Sequence, residues 1–161
     1  MDTKKALDRM MAVCSRRECC RRDIRTKLER LPGWRAGSDV PLLPSQVDEI
    51  IDTLCREKFI DESRYASAFA RDRSSLQGWG PLRIGRALAA KGISSEDIAS
   101  ALENIDESAS DSRMETLLRA KVRSLHGCDD PQARFVKVLR YGLSRGYSYE
   151  KITECYRRII G

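Results

Sequence analysis

The fold of this 161-residue chain is decided by the stretch GWGPLRIGRALAAKGIS at positions 78–94. Pro81 suits the first turn of a helix, where its missing N–H costs no hydrogen bond. Gly92 is typical of the residue at which a helix ends. Ser94 or Ser95 can then cap a following helix. The stretch therefore predicts one helix that begins near Pro81, a tight turn, and a second helix.

The same pattern recurs 54 residues later, in the stretch KVLRYGLSRGYS at positions 137–148. A shift of 54 places Ile84 on Val138 and Gly92 on Gly146, without a gap over about twenty positions. A looser third copy lies within the first fifty or so residues. Self-similarity at about this period indicates a tandem-repeat protein in which each unit packs on its neighbours.

Each copy is preceded by a further helical pattern, with apolar residues spaced i, i+3, i+4. These patterns lie at 3–14, 61–74 and 111–125, and Asp61 is placed to cap the second. Alternating runs typical of strands are missing. The sequence therefore predicts an all-α protein, with three tandem three-helix repeats in an elongated, curved array of about nine helices.

The repeats also predict the domain organisation. The first copy contains an insertion, PGWRAGSDVPLLP at 32–44, whose two glycines and three prolines indicate a loop. The predicted domains are residues 1–58 with loop 32–44, residues 59–107, and residues 108–161.

Charge is concentrated in blocks along a chain whose net charge is +6. Residues 1–35 carry 11 Lys/Arg against 5 Asp/Glu, as do residues 113–161, whereas 92–112 have six acidic and no basic residues. Such blocks can contact a polyanion or an acidic protein face. The alternative is that they are ordinary solvent-exposed helix faces.

The six cysteines and the absence of a long apolar run bear on location. No secretory signal or stretch of 18 apolar residues is found in the sequence. We therefore expect reduced thiols in a cytoplasmic protein with no membrane segment.

Basic residues recur at like positions of the repeated helix. Helical spacing of about 100° per residue points Pro81, Ile84 and Leu88 inwards, and Arg83 and Arg86 outwards. Coincidence in an arginine-rich chain is the alternative explanation. Lys137 and Arg140 occupy the matching positions of the third repeat, and we expect these cations, with Arg22 and Arg25, to form a continuous ribbon.

The complete set of candidate residues falls into two groups. Residues expected to bind a partner or DNA are Arg16, Arg17, Arg22, Arg25, Lys27, Arg71, Arg73, Arg83, Arg86, Lys91, Lys137, Arg140 and Arg145. Residues expected to shape the structural motif are Tyr65, Trp79, Gly80, Pro81, Ile84, Gly92 and Gly146.

No catalytic or metal-binding constellation is found in the sequence. His126 is the single histidine, and although Cys128 follows closely, no third group is identified that could orient the pair. Cys14 and Cys19 lack the spacing of a zinc site, and no phosphate-binding GxxxxGK[ST] loop is found. We therefore expect a protein that is not an enzyme and that uses no metal or cofactor.

The segment KFIDESRYA at 58–66, followed by GWGP at 78–81 and a later Lys-Gly, resembles the RecX family of recombinase regulators. The resemblance is best over residues 59–107 and implies a fold of three tandem three-helix units. It also implies a small cytoplasmic protein that binds the RecA filament on single-stranded DNA. Members of the family inhibit ATP hydrolysis, strand exchange and the coprotease role of that filament.

Two other classes of binding protein remain open at this stage. Helices joined by short glycine-containing turns also fit a direct DNA-binding protein of helix-turn-helix type. A helical adaptor for some other acidic protein is a third possibility. For the regulator we expect a monomer with weak, sequence-independent DNA contact.

Overall fold

The computed structural model describes residues 2–31 and 41–161. Within these residues the chain forms nine α-helices and no strand, which confirms the predicted all-α class. Residues 32–40 of the predicted loop lie outside the described part. The helices are α1 (Thr3–Arg16), α2 (Arg21–Arg30), α3 (Pro44–Arg56), α4 (Glu62–Gln77), α5 (Pro81–Ala90), α6 (Ser95–Glu103), α7 (Glu107–Ser124), α8 (Pro131–Arg145) and α9 (Tyr149–Ile160).

Side-chain caps set several of the helix starts. The Asp61 carboxylate accepts a hydrogen bond from the backbone N–H three residues on, at 3.0 Å, and the Ser94 hydroxyl does the same at 3.2 Å. Ser94 is thus the capping serine before α6. Asp106 caps α7 in the same way at 3.2 Å. For this reason α7 begins before the helix predicted at 111–125.

Buried hydrophobic side chains form three separate clusters, one in each consecutive trio of helices. Ile84 and Val138, which the 54-residue shift superimposes, are both completely buried. The fold therefore consists of three tandem three-helix repeats: repeat 1 (α1–α3), repeat 2 (α4–α6) and repeat 3 (α7–α9). The predicted domain limits at residues 58 and 107 stay predictions.

Repeat 1 meets repeat 2 at what we call the first joint, which is made by side chains. Cys20, between α1 and α2, lies completely buried in the core of repeat 2 with Tyr65. Charged side chains surround it. The polar contacts are Asp23–Lys91 at 2.7 Å, Glu18–Arg64 at 2.7 Å, Arg21–Glu62 at 3.5 Å, and the Arg22 guanidinium donating to the Ala90 carbonyl.

Repeat 2 meets repeat 3 at the second joint, which is made by backbone. The Gly80 N–H donates to the Arg145 carbonyl at 2.7 Å, and the Leu82 N–H donates to the Gly146 carbonyl at 3.0 Å. No side chain caps the start of α5. Carbonyls at the end of α8 therefore satisfy amides at the start of α5, and the opposite partial charges of the two helix ends meet.

Two glycines allow this close backbone approach. A Cβ atom on Gly80 would lie 2.4 Å from the carbonyl carbon of Gly146, and Gly146 itself has a φ of 100°. The buried Tyr147 hydroxyl donates to the Gly78 carbonyl at 2.8 Å. The two stretches that carry the sequence repeat are therefore in direct contact.

The repeats follow one another along an elongated body. Among the described residues, no hydrogen bond or ion pair joins repeat 1 to repeat 3. The accessible surface is 9908 Å², whereas a compact monomer of 18.3 kDa exposes about 8100 Å². In the described part of the chain, no helix combines the length and apolar character needed to span a bilayer.

Candidate partner-binding surface

A groove with many cationic side chains runs along the first joint. It consists of two adjoining cavities of about 530 and 540 Å³, which share Arg17, Asp23, Lys27 and Lys91. We call it the joint groove. Its cationic side chains are Arg9 from α1, Arg17 from the link between α1 and α2, Lys27 and Arg30 from α2, Arg73 from α4, and Lys91 after α5.

The joint groove carries positive charge that the protein itself does not neutralise. Two of its acidic side chains are paired closely, Asp23 with Lys91 and Glu18 with Arg64, each at 2.7 Å. Cations without a carboxylate partner favour the binding of an anionic partner, because no ion pair within the protein has to be broken first. Five groove cations form no ion pair with any carboxylate of the described residues: Arg9, Arg17, Lys27, Arg30 and Arg73.

One wall of the joint groove is aromatic. The Arg73 guanidinium lies 4.7 Å from the ring centroid of Phe69 and 5.1 Å from that of Trp79. The two rings meet edge to face at 6.2 Å. Tyr65 lies beside Phe69 at 5.9 Å, and burial raises the pKa of its hydroxyl. Cation–π contact holds Arg73 in place without neutralising its charge.

A second group of exposed cations lies on α5 and α8. We call Arg86, Lys137 and Arg140 the α5–α8 strip. All three side chains are exposed, and none forms an ion pair with a described carboxylate. The predicted outward orientation of these three residues therefore agrees with their exposure.

The side chain of Arg83 does not point outwards as the sequence predicts. Its side chain is half-buried at the second joint, 4.0 Å from the ring centroid of Trp79, and it donates to the Ser144 carbonyl at 3.4 Å. The expectation of an outward, free Arg83 that matches Lys137 is therefore wrong. The expectation that Pro81 faces the core is also wrong, since Pro81 is exposed at the helix start.

Several other predicted binding residues stabilise the protein itself. Arg22 and Arg145 donate across the first and second joints, respectively, to the Ala90 and Gln77 carbonyls. Each of these two guanidinium groups therefore donates to a backbone carbonyl of the neighbouring repeat. The remaining contacts are Arg25 with Asp48 at 2.7 Å, Arg71 with Asp72 at 3.9 Å, and Arg16 with the Ala12 carbonyl at 3.3 Å.

The continuous ribbon expected from the sequence is thus divided. Arg17, Lys27, Arg73 and Lys91 lie in the joint groove, whereas the α5–α8 strip lies on other helices. Sequence reasoning missed Arg9 and Arg30, which also line the groove. No local pattern distinguishes these two from other surface arginines, because they come together only when α1 and α2 pack against α3.

The described residues contain no cluster of three or more His, Cys, Asp or Glu side chains that could hold a metal ion. His126 is exposed after α7, where its ring lies 3.2 Å from the Arg123 carbonyl. The six cysteines carry free thiols.

Comparison with known proteins gives consistent matches. A family model described as "RecX, second three-helix domain" matches residues 61–102, which lie in repeat 2. The regulatory protein RecX of Salmonella arizonae is 28% identical over 152 residues, covering 94% of this chain and 89% of that protein. The regulatory protein RecX of Cronobacter sakazakii is 29% identical over 154 residues, covering 94% and 90%.

Solved structures show the same architecture. The crystal structure of RecX from Lactobacillus salivarius matches with a TM-score of 0.77, at 21% identity, over 98% of this chain and 96% of that one. A second RecX crystal structure matches with a TM-score of 0.79, at 24% identity, over 98% and 70%.

These results identify the protein in two steps. The fold and its surface define an all-α protein of tandem three-helix repeats with an unpaired cationic groove. The family model, the relatives that span nearly the whole chain, and the shared architecture then place it more narrowly. Over nearly its whole length, the chain is similar to the regulatory proteins of the RecX family.

Proposed function

We propose that this protein binds the filament that RecA recombinase forms on single-stranded DNA and inhibits the ATPase, strand-exchange and coprotease activities of that filament. It thereby modulates homologous recombination, DNA repair and the SOS response. The proposal rests on similarity to a family of regulatory proteins over nearly the whole chain and on the sequence resemblance at 58–66 and 78–81. It describes a binding protein that acts in the cytoplasm, as a monomer, without chemistry of its own.

The unpaired charge of the joint groove is the observation that carries the proposal. A filament of protein and single-stranded DNA presents closely spaced phosphates along its length. Cations that contact phosphates release condensed counterions, which favours binding and makes it sensitive to salt. An elongated chain with a cationic groove and the α5–α8 strip can contact such a partner over a long distance.

The charge of α6 argues against a sequence-reading helix-turn-helix protein. In that motif the second helix of the turn enters the major groove, between two phosphate backbones. The corresponding helix in repeat 2 is α6, which follows the turn at Gly92. It carries Glu96, Asp97 and Glu103 and no basic residue, so phosphates repel it. Any direct DNA contact is therefore expected to be weak and independent of sequence.

The ATPase activity of RecA on single-stranded DNA tests the proposal most directly. Titration of this protein well below equimolar concentration should lower the rate of ATP hydrolysis. Unchanged hydrolysis at a molar excess would show that the proposed function is wrong. A sequence-specific footprint on duplex DNA without RecA would instead support the helix-turn-helix alternative.

Charge reversal locates the binding surface. We expect Arg17→Glu with Arg30→Glu in the joint groove, and Lys137→Glu with Arg140→Glu in the α5–α8 strip, each to weaken inhibition about tenfold or more, as for loss of two phosphate or carboxylate contacts. The matched control is Lys4→Glu with Lys5→Glu, because both side chains are exposed at the start of α1 and the change in net charge is the same.

The melting temperature of each variant shows whether the fold is intact. Equal weakening by the control pair would mean that only net charge matters, and would contradict a defined surface. Full inhibition by a groove or strip variant would remove that surface from the proposal. Sedimentation velocity of the free protein tests the monomer.

A further inference from the structure

A further cavity lies between repeats 2 and 3, where α4, the link between α6 and α7, and the first half of α7 meet. Its volume is about 390 Å³, and we call it the α4–α7 cavity. Ser67, Arg71 and Ser74 line it from α4, whereas Phe69 and Arg73 of the same helix line the joint groove. At about 100° per residue these two sets point to opposite sides of α4. The α4–α7 cavity is therefore separate from the joint groove.

Arg113 brings a positive charge to the α4–α7 cavity without an anion to balance it. Its side chain is half-buried on α7, and its guanidinium donates to the Ser74 hydroxyl at 2.6 Å. No carboxylate of the described residues forms an ion pair with it. A cation that is partly removed from water and left without a counter-charge lowers stability. Arg113 is therefore a cation that an external anion would stabilise.

Ser74 provides a second, independent sign of a missing acceptor. Its side chain is only 2% exposed, and its hydroxyl oxygen accepts from Arg113. Among the hydrogen bonds of the described residues, none has the Ser74 hydroxyl as its donor. The Ser67 hydroxyl and the Asn104 amide also line the cavity and form no side-chain hydrogen bond within the described part of the chain. Buried donors are normally paired, so the cavity has room for an acceptor that the protein does not supply.

The rest of the lining strengthens the excess of donors. Arg71 adds a second guanidinium, whose contact with Asp72 is loose at 3.9 Å. Asp106 is the one acidic residue among the described residues that line the cavity, and its carboxylate already accepts from the Ala109 N–H as the cap of α7. A water molecule can accept the proton of a hydroxyl, but it carries no charge to balance a guanidinium.

We propose that the α4–α7 cavity is a binding site for phosphate, either as the inorganic ion or as the monoester of a small organic molecule. The four oxygens of a phosphate accept hydrogen bonds from several directions, and here donors come from α4, from the link after α6 and from α7. Hydrogen bonds from guanidinium groups to phosphate are charge-assisted and therefore strong.

The size and the apolar side of the cavity indicate which phosphates fit. A volume of about 390 Å³ is larger than one phosphate ion needs. Ala101, Ile105 and Ala109 form an apolar part of the lining, which suits the organic part of a monoester. Because the donors belong to repeat 2 and repeat 3, a bound phosphate joins the two repeats. It should therefore stabilise the folded chain.

Titration of the full chain with inorganic phosphate at constant ionic strength tests the proposal. We expect the melting temperature to rise and then saturate, and the ¹⁵N–¹H resonance of the Arg113 Nε–H group to shift with the same midpoint. Glycerol phosphate should produce the same changes. Acetate and chloride are the control anions. An equal rise with acetate, or no saturable change with phosphate, would overturn the proposal.

Arg113→Gln should weaken phosphate binding about tenfold or more, as for loss of a charge-assisted contact. Arg123→Gln is the matched control, because that arginine is exposed on the same helix and the change in net charge is equal. It should bind phosphate as the unchanged protein does. Equal weakening by both substitutions would show that only net charge matters, and would overturn the site.

A pair of substitutions at Ser67 keeps the test decisive if Arg113→Gln does not fold. Ser67→Asp places a carboxylate in the cavity and should abolish phosphate binding, whereas Ser67→Ala removes one hydroxyl and should weaken it about threefold at most. Equal phosphate affinities of these two variants would contradict the proposal. So would displacement of phosphate by a thymidine oligonucleotide without terminal phosphates, which would assign the cavity to a DNA backbone. None of these measurements involves RecA, so their outcome is independent of the proposed function.

Discussion

The two joints connect like repeats by different means. Gly92 and Gly146 occupy the same position of the sequence repeat, and both have a positive φ, of 79° and 100°. Beside Gly92, at the first joint, lies the guanidinium end of Arg22. Beside Gly146, at the second joint, lie the backbone nitrogen and Cβ of Arg83. A flexible side-chain end can move away from an added atom, whereas backbone cannot.

The difference shows that similar sequence does not imply similar mechanical coupling. The first joint depends on ion pairs between partly exposed side chains, which salt weakens and which contribute little individually. The second joint depends on backbone hydrogen bonds at a contact between Gly80 and Gly146 that leaves no room for a Cβ atom, and the side chains of Arg83, Arg145 and Tyr147 add hydrogen bonds to backbone carbonyls around it. We therefore expect repeats 2 and 3 to behave as one rigid body, and repeat 1 to move relative to them.

Gly146→Ala should have the largest effect. A Cβ atom there would lie 2.4 Å from the Cβ of Arg83. Left-handed backbone strain of about 1–2 kcal/mol and overpacking of about 1–3 kcal/mol together should lower the free energy of unfolding by about 4 kcal/mol. Gly92→Ala adds only the strain of the left-handed backbone, and it should lower the free energy of unfolding by about 1 kcal/mol. Urea denaturation measures both, and equal losses would contradict the difference between the joints.

Gly80→Ala should have the second largest effect. The free energy of unfolding should fall by about 3 kcal/mol, because the added atom overpacks the second joint and weakens the hydrogen bonds across it. The added Cβ atom would lie 2.4 Å from the Gly146 carbonyl group. Gly85→Ala is the control, because its Cβ atom would meet only ordinary contacts at 3.6 Å or more. In that helical position alanine should add about 0.5–1 kcal/mol of stability. A tolerated Gly80→Ala would show that the joint can separate without cost.

Tyr147→Phe isolates one hydrogen bond of the second joint. The change removes the hydroxyl that donates to the Gly78 carbonyl and leaves the buried ring. The free energy of unfolding should fall by about 1 kcal/mol. Tyr149→Phe provides the control, since that side chain is exposed. If urea denaturation shows no measurable decrease in the free energy of unfolding for Tyr147→Phe, the hydroxyl makes no contribution to the second joint.

Asp23→Asn should have the smallest effect on stability. The change breaks the pair with Lys91, whose side chains are 36% and 38% exposed, so a loss of about 0.5 kcal/mol is expected. The loss should shrink when NaCl rises from about 0.05 to 0.5 M, because salt screens exposed charges. Tyr147→Phe should show no such dependence. A salt-independent effect of Asp23→Asn would remove the electrostatic account of the first joint.

Most of the fold could be predicted from local signals. Asp61 and Ser94 cap the helices where the sequence indicates, and α5 begins at Pro81. The 54-residue repeat predicts that Ile84 and Val138 are both buried, each at the like position of its own repeat, as they are. These features depend on residues within one or two helical turns of each other. Such residues are close in the sequence, so their pattern can be recognised without the structure.

The inner face of α8 shows how packing completes a prediction. The 54-residue shift places Gly142 on Leu88, which the helical spacing points inwards in repeat 2. In the structure a Cβ atom on Gly142 would lie 2.6 Å from the side chain of Ile152, which is completely buried. The side chain of Ile152 from α9 therefore occupies the space that a side chain at position 142 would need.

The candidate surface could be predicted only in part. Four of the expected cations do line the joint groove, yet the sequence assigned the same role to Arg22, Arg83 and Arg145, which act at the joints. The hydrogen bonds of Arg22 and Arg145 each join residues 68 positions apart. No periodicity within a helix reports on contacts of that kind.

The sequence by itself determined the helices, their order and their grouping into three repeats, because capping, glycine conformation and apolar spacing act over a few residues. Only the tertiary structure decided which arginines face a partner and which bind the neighbouring repeat. It also decided that one joint is made by side chains, whereas the other has direct backbone-to-backbone hydrogen bonds at its centre. The free energy of a cation depends on the charges, carbonyls and rings around it in space, and those come from other repeats.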